Sequence, residues 1–171
     1  MLTTNNNNTE DDKKLSVNKD NIEDIKEIDR WYMWDFDAKN EKQPKTPQGY
    51  GASWSNDEDA MSYDEVKNYV EKTDKFDAYG FRFSEEDEYM FIDWDSCFEE
   101  KQEIDSAKEW GPIKEFAEHT YTHFSSSGTG AHTILKGDVP NWWENRTDDH
   151  EGIEMFDSRM CIFTEDIIDT T

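Results

Sequence analysis

The sequence predicts an α+β domain, built on a mixed or mostly antiparallel sheet flanked by helices. Three observations carry that prediction. Aromatic and apolar runs of strand length recur at 31–36, 78–83, 89–95, 120–124, 131–136, 152–156 and 159–164. Apolar residues at helical spacing separate them: Ile22, Ile25 and Ile28; Val66, Tyr69 and Val70; then Ile104, Ala107, Trp110, Ile113 and Ala117. Short polar turns join neighbouring runs, so hairpins are expected between 78–83 and 89–95, and again between 152–156 and 159–164.

Composition bounds what such a domain can do. The 171 residues hold 42 acidic side chains against 18 Lys plus Arg, a formal charge of -24. Hydrophobic residues make up only 33%, but 14% of the chain is aromatic, so few residues can still bury a large area. The length suits one domain with a real core. An acidic surface argues against general nucleic-acid binding, which draws its affinity from Lys and Arg on phosphates. A halophilic host, whose salt screens the repulsion, is one explanation of the acidity. Cys97 and Cys161 are too few for a disulfide framework and are expected as reduced core thiols. With no membrane-length apolar run and no signal-peptide core, a soluble, cytoplasmic protein is expected.

In chain order, residues 1–20 read as a disordered, Asn-rich and acidic tail, and 21–171 as the single folded domain. Ile22, Ile25 and Ile28 lead in as a short amphipathic helix. The first core strand, 31–36, is followed by a loop carrying Lys42, Lys45 and Pro47, with turns to about Asn56. Ser62 and Glu65 form a capping box that opens a helix ending near Lys72. Gly111-Pro112 interrupts the helical rhythm of 104–119, which predicts a kink or two shorter helices. The segment 137–151 reads as a long polar loop.

Three stretches carry candidate chemistry. In a strand, Asp93 and Asp95 project from one face while Ile92 and Trp94 point the other way. Paired carboxylates want a shared counter-charge, and magnesium or manganese, which take hard oxygen ligands, can supply it. A plain strand end in an acid-rich chain is the competing reading. Ser125-Ser-Ser-Gly-Thr-Gly130 is a turn whose hydroxyls and glycine amides, at Ser125, Ser127, Gly128 and Gly130, can cradle an anion. His132 and Lys136 share a strand face beyond it and can add a hydrogen bond and a charge; an ordinary hairpin turn with a half-buried histidine explains the same pattern. Glu154 sits mid-strand among apolar residues, as a metal ligand or as the ion-pair partner of Arg159. Asp157 falls in the turn that follows.

The order of these parts resembles the primase-polymerase (prim-pol) domains of plasmid and viral replication proteins, within the archaeo-eukaryotic primase superfamily. The matching motifs are Phe91-Ile-Asp-Trp-Asp-Ser-Cys97, Thr120-Tyr-Thr-His-Phe-Ser-Ser-Ser-Gly-Thr-Gly-Ala-His132 and Ile153-Glu-Met-Phe-Asp-Ser-Arg-Met-Cys-Ile-Phe-Thr164. Lys45-Thr-Pro47, Ala52-Ser53 and Tyr79-Gly-Phe81 resemble the family's lead-in. The resemblance implies an RRM-like catalytic core performing template-directed nucleotidyl transfer (DNA primase/polymerase) in replication of a mobile element.

By the same resemblance Asp93, Asp95 and Glu154, with Asp157 as the alternative third acid, hold two Mg2+ or Mn2+ ions. His132 and the 127–130 turn then contact the incoming triphosphate. Lys136 and Arg159 are added on charge and position. Implied partners are a DNA template and primer, (d)NTPs and a separate helicase or replication protein, because related chains continue past the last motif into such regions. The chain departs from the family at Ser126, where proline is frequent, at His123, where an acid is frequent, and at Glu165, which replaces a glycine. A catalytically silent acidic module keeping this fold, as a DNA mimic or replication accessory, is the alternative. A metal-dependent nuclease is a third reading, which leaves the serine turn without a role.

Overall fold

In a computed structural model of the chain, residues 17–36, 43–108, 112–145 and 152–170 are described. Helix α1 (Asn21–Lys26) leads to strands β1 (Trp31–Trp34) and β2 (Pro44–Lys45), helix α2 (Tyr63–Lys72) and strand β3 (Ala78–Arg82). Strand β4 (Tyr89–Trp94), a 3-10 turn (Ile104–Ser106) and helix α3 (Ile113–His119) follow. Strands β5 (Thr122–Phe124), β6 (Ala131–Lys136), β7 (Ile153–Phe156) and β8 (Met160–Phe163) complete the series. The α+β class holds, but the expected single sheet is two. Each is four-stranded and antiparallel, in the orders β2-β1-β3-β8 and β5-β6-β4-β7.

Both expected hairpins are therefore corrected. β3 pairs with β1 and β8, whereas β4 pairs with β6 and β7. Neither β3 with β4 nor β7 with β8 shares a ladder; each short turn passes the chain from one sheet to the other. Burial explains why. Ala78 to Phe81 and Tyr89 to Ile92 are buried on both faces, so each strand needs neighbours on both sides and cover above and below. Inner positions of separate sheets meet that need.

The two sheets share one aromatic core, in which Trp31, Met33, Tyr79, Phe81 and Phe163 face Tyr89, Phe91, Tyr121 and Ile134. α1 covers it with Ile22 and Ile25, and α2 with Tyr63 and Val66. The capping box at Ser62 and Glu65 forms in full: each backbone N–H donates to the other's side chain, at 3.3 and 3.0 Å. On the far face of the second sheet Met90, Ile92, Trp94 and Leu135 pack against Cys97, Phe98 and the α3 residues Ile113 and Ala117. Both cysteines are buried free thiols. The interrupted helix becomes the 3-10 turn and α3; Trp110 and Gly111 lie outside the described residues, as do positions 1–16 of the expected tail and Lys42.

Candidate functional site

Register in the second sheet assembles the site. Asp93 on β4 lies directly opposite His132 on β6 and opposite Glu154 on β7, and His132 lies opposite His123 on β5. Residues so paired project from the same face with Cα atoms about 4.5–5.5 Å apart. Four polar side chains thus cross the sheet in one row, His123–His132–Asp93–Glu154, although up to 61 positions separate them along the chain. Ile92 and Trp94 point to the opposite, apolar side, as the alternation requires. Asp157 lies just beyond the end of β7 and outside this row.

Two close backbone approaches hold the end of β4. Asp95 donates its N–H to the Gly152 carbonyl at 2.8 Å, and a Cβ at Gly152, whose φ is +87°, would stand 2.9 Å from the Asp95 carbonyl oxygen. On the other flank a Cβ at Gly130 would stand 2.7 Å from the Trp94 carbonyl oxygen. Gly130→Ala is therefore expected to push the serine turn away from β4, lowering stability by about 1–3 kcal/mol in urea unfolding.

The turn itself is knotted by its own bonds. Ser125 accepts from the Gly130 N–H at 3.1 Å, and the Ser125, Ser127 and Thr129 hydroxyls are chained at 2.9 and 3.0 Å. The Gly128 N–H donates to the Ser125 carbonyl at 2.9 Å, and Gly128 packs on Lys101 and Gln102 away from the cleft. What the turn offers to the cleft is Ser125, Ser126, Ser127 and Gly130, beside Asp93, Asp95, His132 and Arg159. The glycine amides expected as anion donors are spent inside the turn.

Arg159 reaches this cleft from the β7–β8 corner, its guanidinium 4.5 Å from the centre of the Phe156 ring. Among the described residues no carboxylate forms an ion pair with it, so the Glu154–Arg159 pairing weighed from sequence is not made. Lys136 is not brought to the site. It lies at the far end of β6 opposite Tyr89, with Nζ 3.1 Å from Glu88.

Electrostatics mark Asp93 as the strained member. Burial and the neighbouring Asp95 charge push its carboxyl up to about 6, against the pull of Arg159. Burial lowers His132 to about 4 and His123 to about 3, so both rings are neutral near pH 7. His123 Nδ1 is buried with no partner, while its Nε2 is 3.0 Å from the Ile162 carbonyl and 3.1 Å from His132 Nδ1. An unpartnered buried N–H costs more than an unpartnered lone pair beside apolar atoms, so the proton belongs on His123 Nε2. His132 Nδ1 then accepts, and its own proton falls on Nε2, which faces Asp93 Oδ1 at 3.6 Å. The row thereby presents an N–H to the cleft. His123 carries this arrangement; its signals in sequence are its place in the Thr122-His-Phe124 strand, nine residues before His132, and its departure from the acid frequent at that motif position.

Two donor sets could take a metal. Asp93, Asp95 and Glu154 offer hard carboxylate oxygens and unmet negative charge, which suits magnesium or manganese. Among the described residues, however, only His123, His132 and Cys161 have ligand atoms all within 4.8 Å of one another, a softer set of the kind zinc takes. The His123 Nε2–H already serves both the Ile162 carbonyl and His132 Nδ1, which gives the cluster a role as a hydrogen-bonded knot.

No protein-family model matches the chain. Over 148 residues it is 25% identical to a DNA primase-polymerase of Nitratiruptor phage NrS-1, an overlap covering 82% of this chain and 20% of the phage protein. The chain thus spans about a fifth of that relative's length, and is distantly similar to it across most of its own. Among the described residues no helix is long and apolar enough to cross a membrane.

Proposed function

We propose that the domain carries out template-directed nucleotidyl transfer, adding a nucleotide to a primer 3′-hydroxyl with release of pyrophosphate, in replication of a phage-like mobile element. The observation that carries this reading is the in-register row of His132, Asp93 and Glu154 beside a serine turn and Arg159. Similarity to a phage DNA primase-polymerase supports it.

In this reading Asp93, Asp95 and Glu154 hold Mg2+ or Mn2+, with Asp157 as the alternative third acid. Such ions acidify the attacking hydroxyl and neutralise the charge that builds on the leaving pyrophosphate. The serine hydroxyls and Arg159 bind the triphosphate, and His132 donates its Nε2–H to a phosphate oxygen. Gly128, Gly130 and Ser127 shape the turn. Lys136 is left out on position. A DNA template with primer is what this chemistry acts on, and a separate helicase or replication protein is the partner proposed beside it.

The test is primer extension by the full chain with deoxynucleoside triphosphates and Mn2+. Absence of incorporation at both low and molar salt would remove the catalytic reading. Metal binding should follow Asp93. Its carboxyl must be ionised to act as a ligand, so Mn2+ affinity is expected to rise about tenfold per pH unit below about 6 and to level off above. Calorimetry between pH 5 and 8 reads this, and a flat profile would detach Asp93 from the metal.

The charge of -24 favours a second reading, a silent acidic module. It predicts that Mn2+ and a nucleoside triphosphate bind independently and weakly in that calorimetry, where the enzyme needs each to strengthen the other.

A further inference from the structure

The cleft does not end at Arg159. Ser126, Arg159, Met160 and Ile162 also line a second hollow of about 390 Å³, whose other walls are Trp34, Phe36 and Trp54. It lies on the outer face of the first sheet. There Met160 and Ile162 on the edge strand β8 stand opposite Arg82 and Gly80, while Met33, Tyr79 and Phe81 turn inward to the core. The two hollows form one path that runs from the carboxylates over β8 onto an aromatic surface.

Two features of that surface lack an internal explanation, and a third is a lone positive charge. Phe36 and Trp54 are 39% and 42% exposed in a chain that buries most of its aromatic rings. Trp34 is 4% exposed, and its indole N–H is buried without an acceptor. Among the described residues Arg159 is the only Lys or Arg lining either hollow; it lies over the Phe156 ring and no described acid forms an ion pair with it.

We propose that this outer groove takes unpaired bases of a single-stranded nucleic acid, stacking them on Trp54 and Phe36 with Arg159 against a phosphate at the crossing. The proposal rests on the nucleotidyl-transfer reading only for what the strand does there, serving as template. Aromatic rings accept any base on their faces, and a sheet face bearing aromatics is a recurrent platform for single strands. The alternative source of affinity, an array of phosphate contacts, is closed to a domain with 42 acids against 18 bases. Stacking explains how so acidic a chain could hold a strand at all.

The test is fluorescence anisotropy of a labelled oligothymidylate of about 12 nucleotides against the full chain, with Trp54→Ala and Trp54→Phe. Wild type should bind with a shallow salt dependence, a log–log slope of about -1, as one or two phosphate contacts give. Trp54→Ala should lose about tenfold or more in affinity, Trp54→Phe should recover most of it, and an abasic strand of equal length should bind wild type as weakly as thymidylate binds the alanine variant.

Equal binding of the abasic strand, a slope steeper than about -3, or no binding at all would overturn the proposal. So would a Trp54→Ala effect confined to free deoxynucleoside triphosphate, which would assign the groove to the incoming base. Binding through Trp54 in a chain that incorporates no nucleotide would leave the groove standing and remove only the catalytic reading.

Discussion

Primer extension is expected to fall by at least about a hundredfold when Asp93 and Asp95 are both replaced by asparagine, with the fold intact. The amide keeps the shape of each side chain and removes the charge that binds the ions. Stability separates loss of chemistry from loss of structure. Asp93 is held above the usual carboxylate range by burial and by Asp95, so the folded protein keeps its proton to higher pH than the unfolded chain does. Ionisation of Asp93 therefore destabilises the metal-free fold as pH rises from the ordinary carboxylate range through about 6, and the cost persists above that.

Asp93→Asn removes the penalty. Its metal-free form should melt above wild type at pH 7.5 and lose that advantage at pH 4, where the wild-type carboxyl is protonated. A variant that is inactive and more stable is the signature of a site carboxylate. Undiminished extension by the double variant would end the metal mechanism.

Replacing His123 by phenylalanine should raise the KM for nucleotide by about 10- to 100-fold, the worth of one hydrogen bond to a charged group. The ring is already stacked on Phe163 at 4.8 Å, so phenylalanine keeps the packing and deletes only the Nε2–H. His132 Nδ1 is then left facing the Ile162 carbonyl at 3.2 Å, and its proton should move to that nitrogen. A lone pair would replace the N–H presented to the triphosphate. His123→Gln, which can still donate to the carbonyl and to His132, should restore much of the affinity.

Nitrogen-15 shifts of the His132 ring read the tautomer without any turnover: the proton on Nε2 in wild type and on Nδ1 in His123→Phe. An unchanged tautomer would reduce His123 to a packing residue. Stoichiometric zinc bound through His123, His132 and Cys161 would replace the hydrogen-bonded knot by a metal site.

Much of this architecture was legible in the sequence because it is local. Alternation placed Asp93 on the face opposite Ile92 and Trp94, the Ser62–Glu65 spacing announced a helix start that forms as read, and Pro112 stands at the start of α3. Reach was not legible. Lys136 shares a strand face with His132, but a strand rises about 3.3 Å per residue, so four positions carry it beyond the cleft to Glu88. The glycines of the serine turn looked like anion donors, yet the turn consumes its own amides. Trp34, Phe36 and Trp54 read only as a strand and a loop, because a shared groove has no signature in spacing.

By itself, then, the chain's alternation determined which residues could stand on one face of a strand, and composition determined that any nucleic-acid site must work with few cations. Tertiary structure decided which strands became neighbours. A period of two is the same whether a strand pairs with the next one or crosses to another sheet, so the sequence could not distinguish a β3–β4 hairpin from a corner. The ladders resolve it: β3 lies between β1 and β8, and β4 between β6 and β7. That choice set Asp93 between His132 and Glu154, and laid the β8 edge between the carboxylates and the aromatic groove.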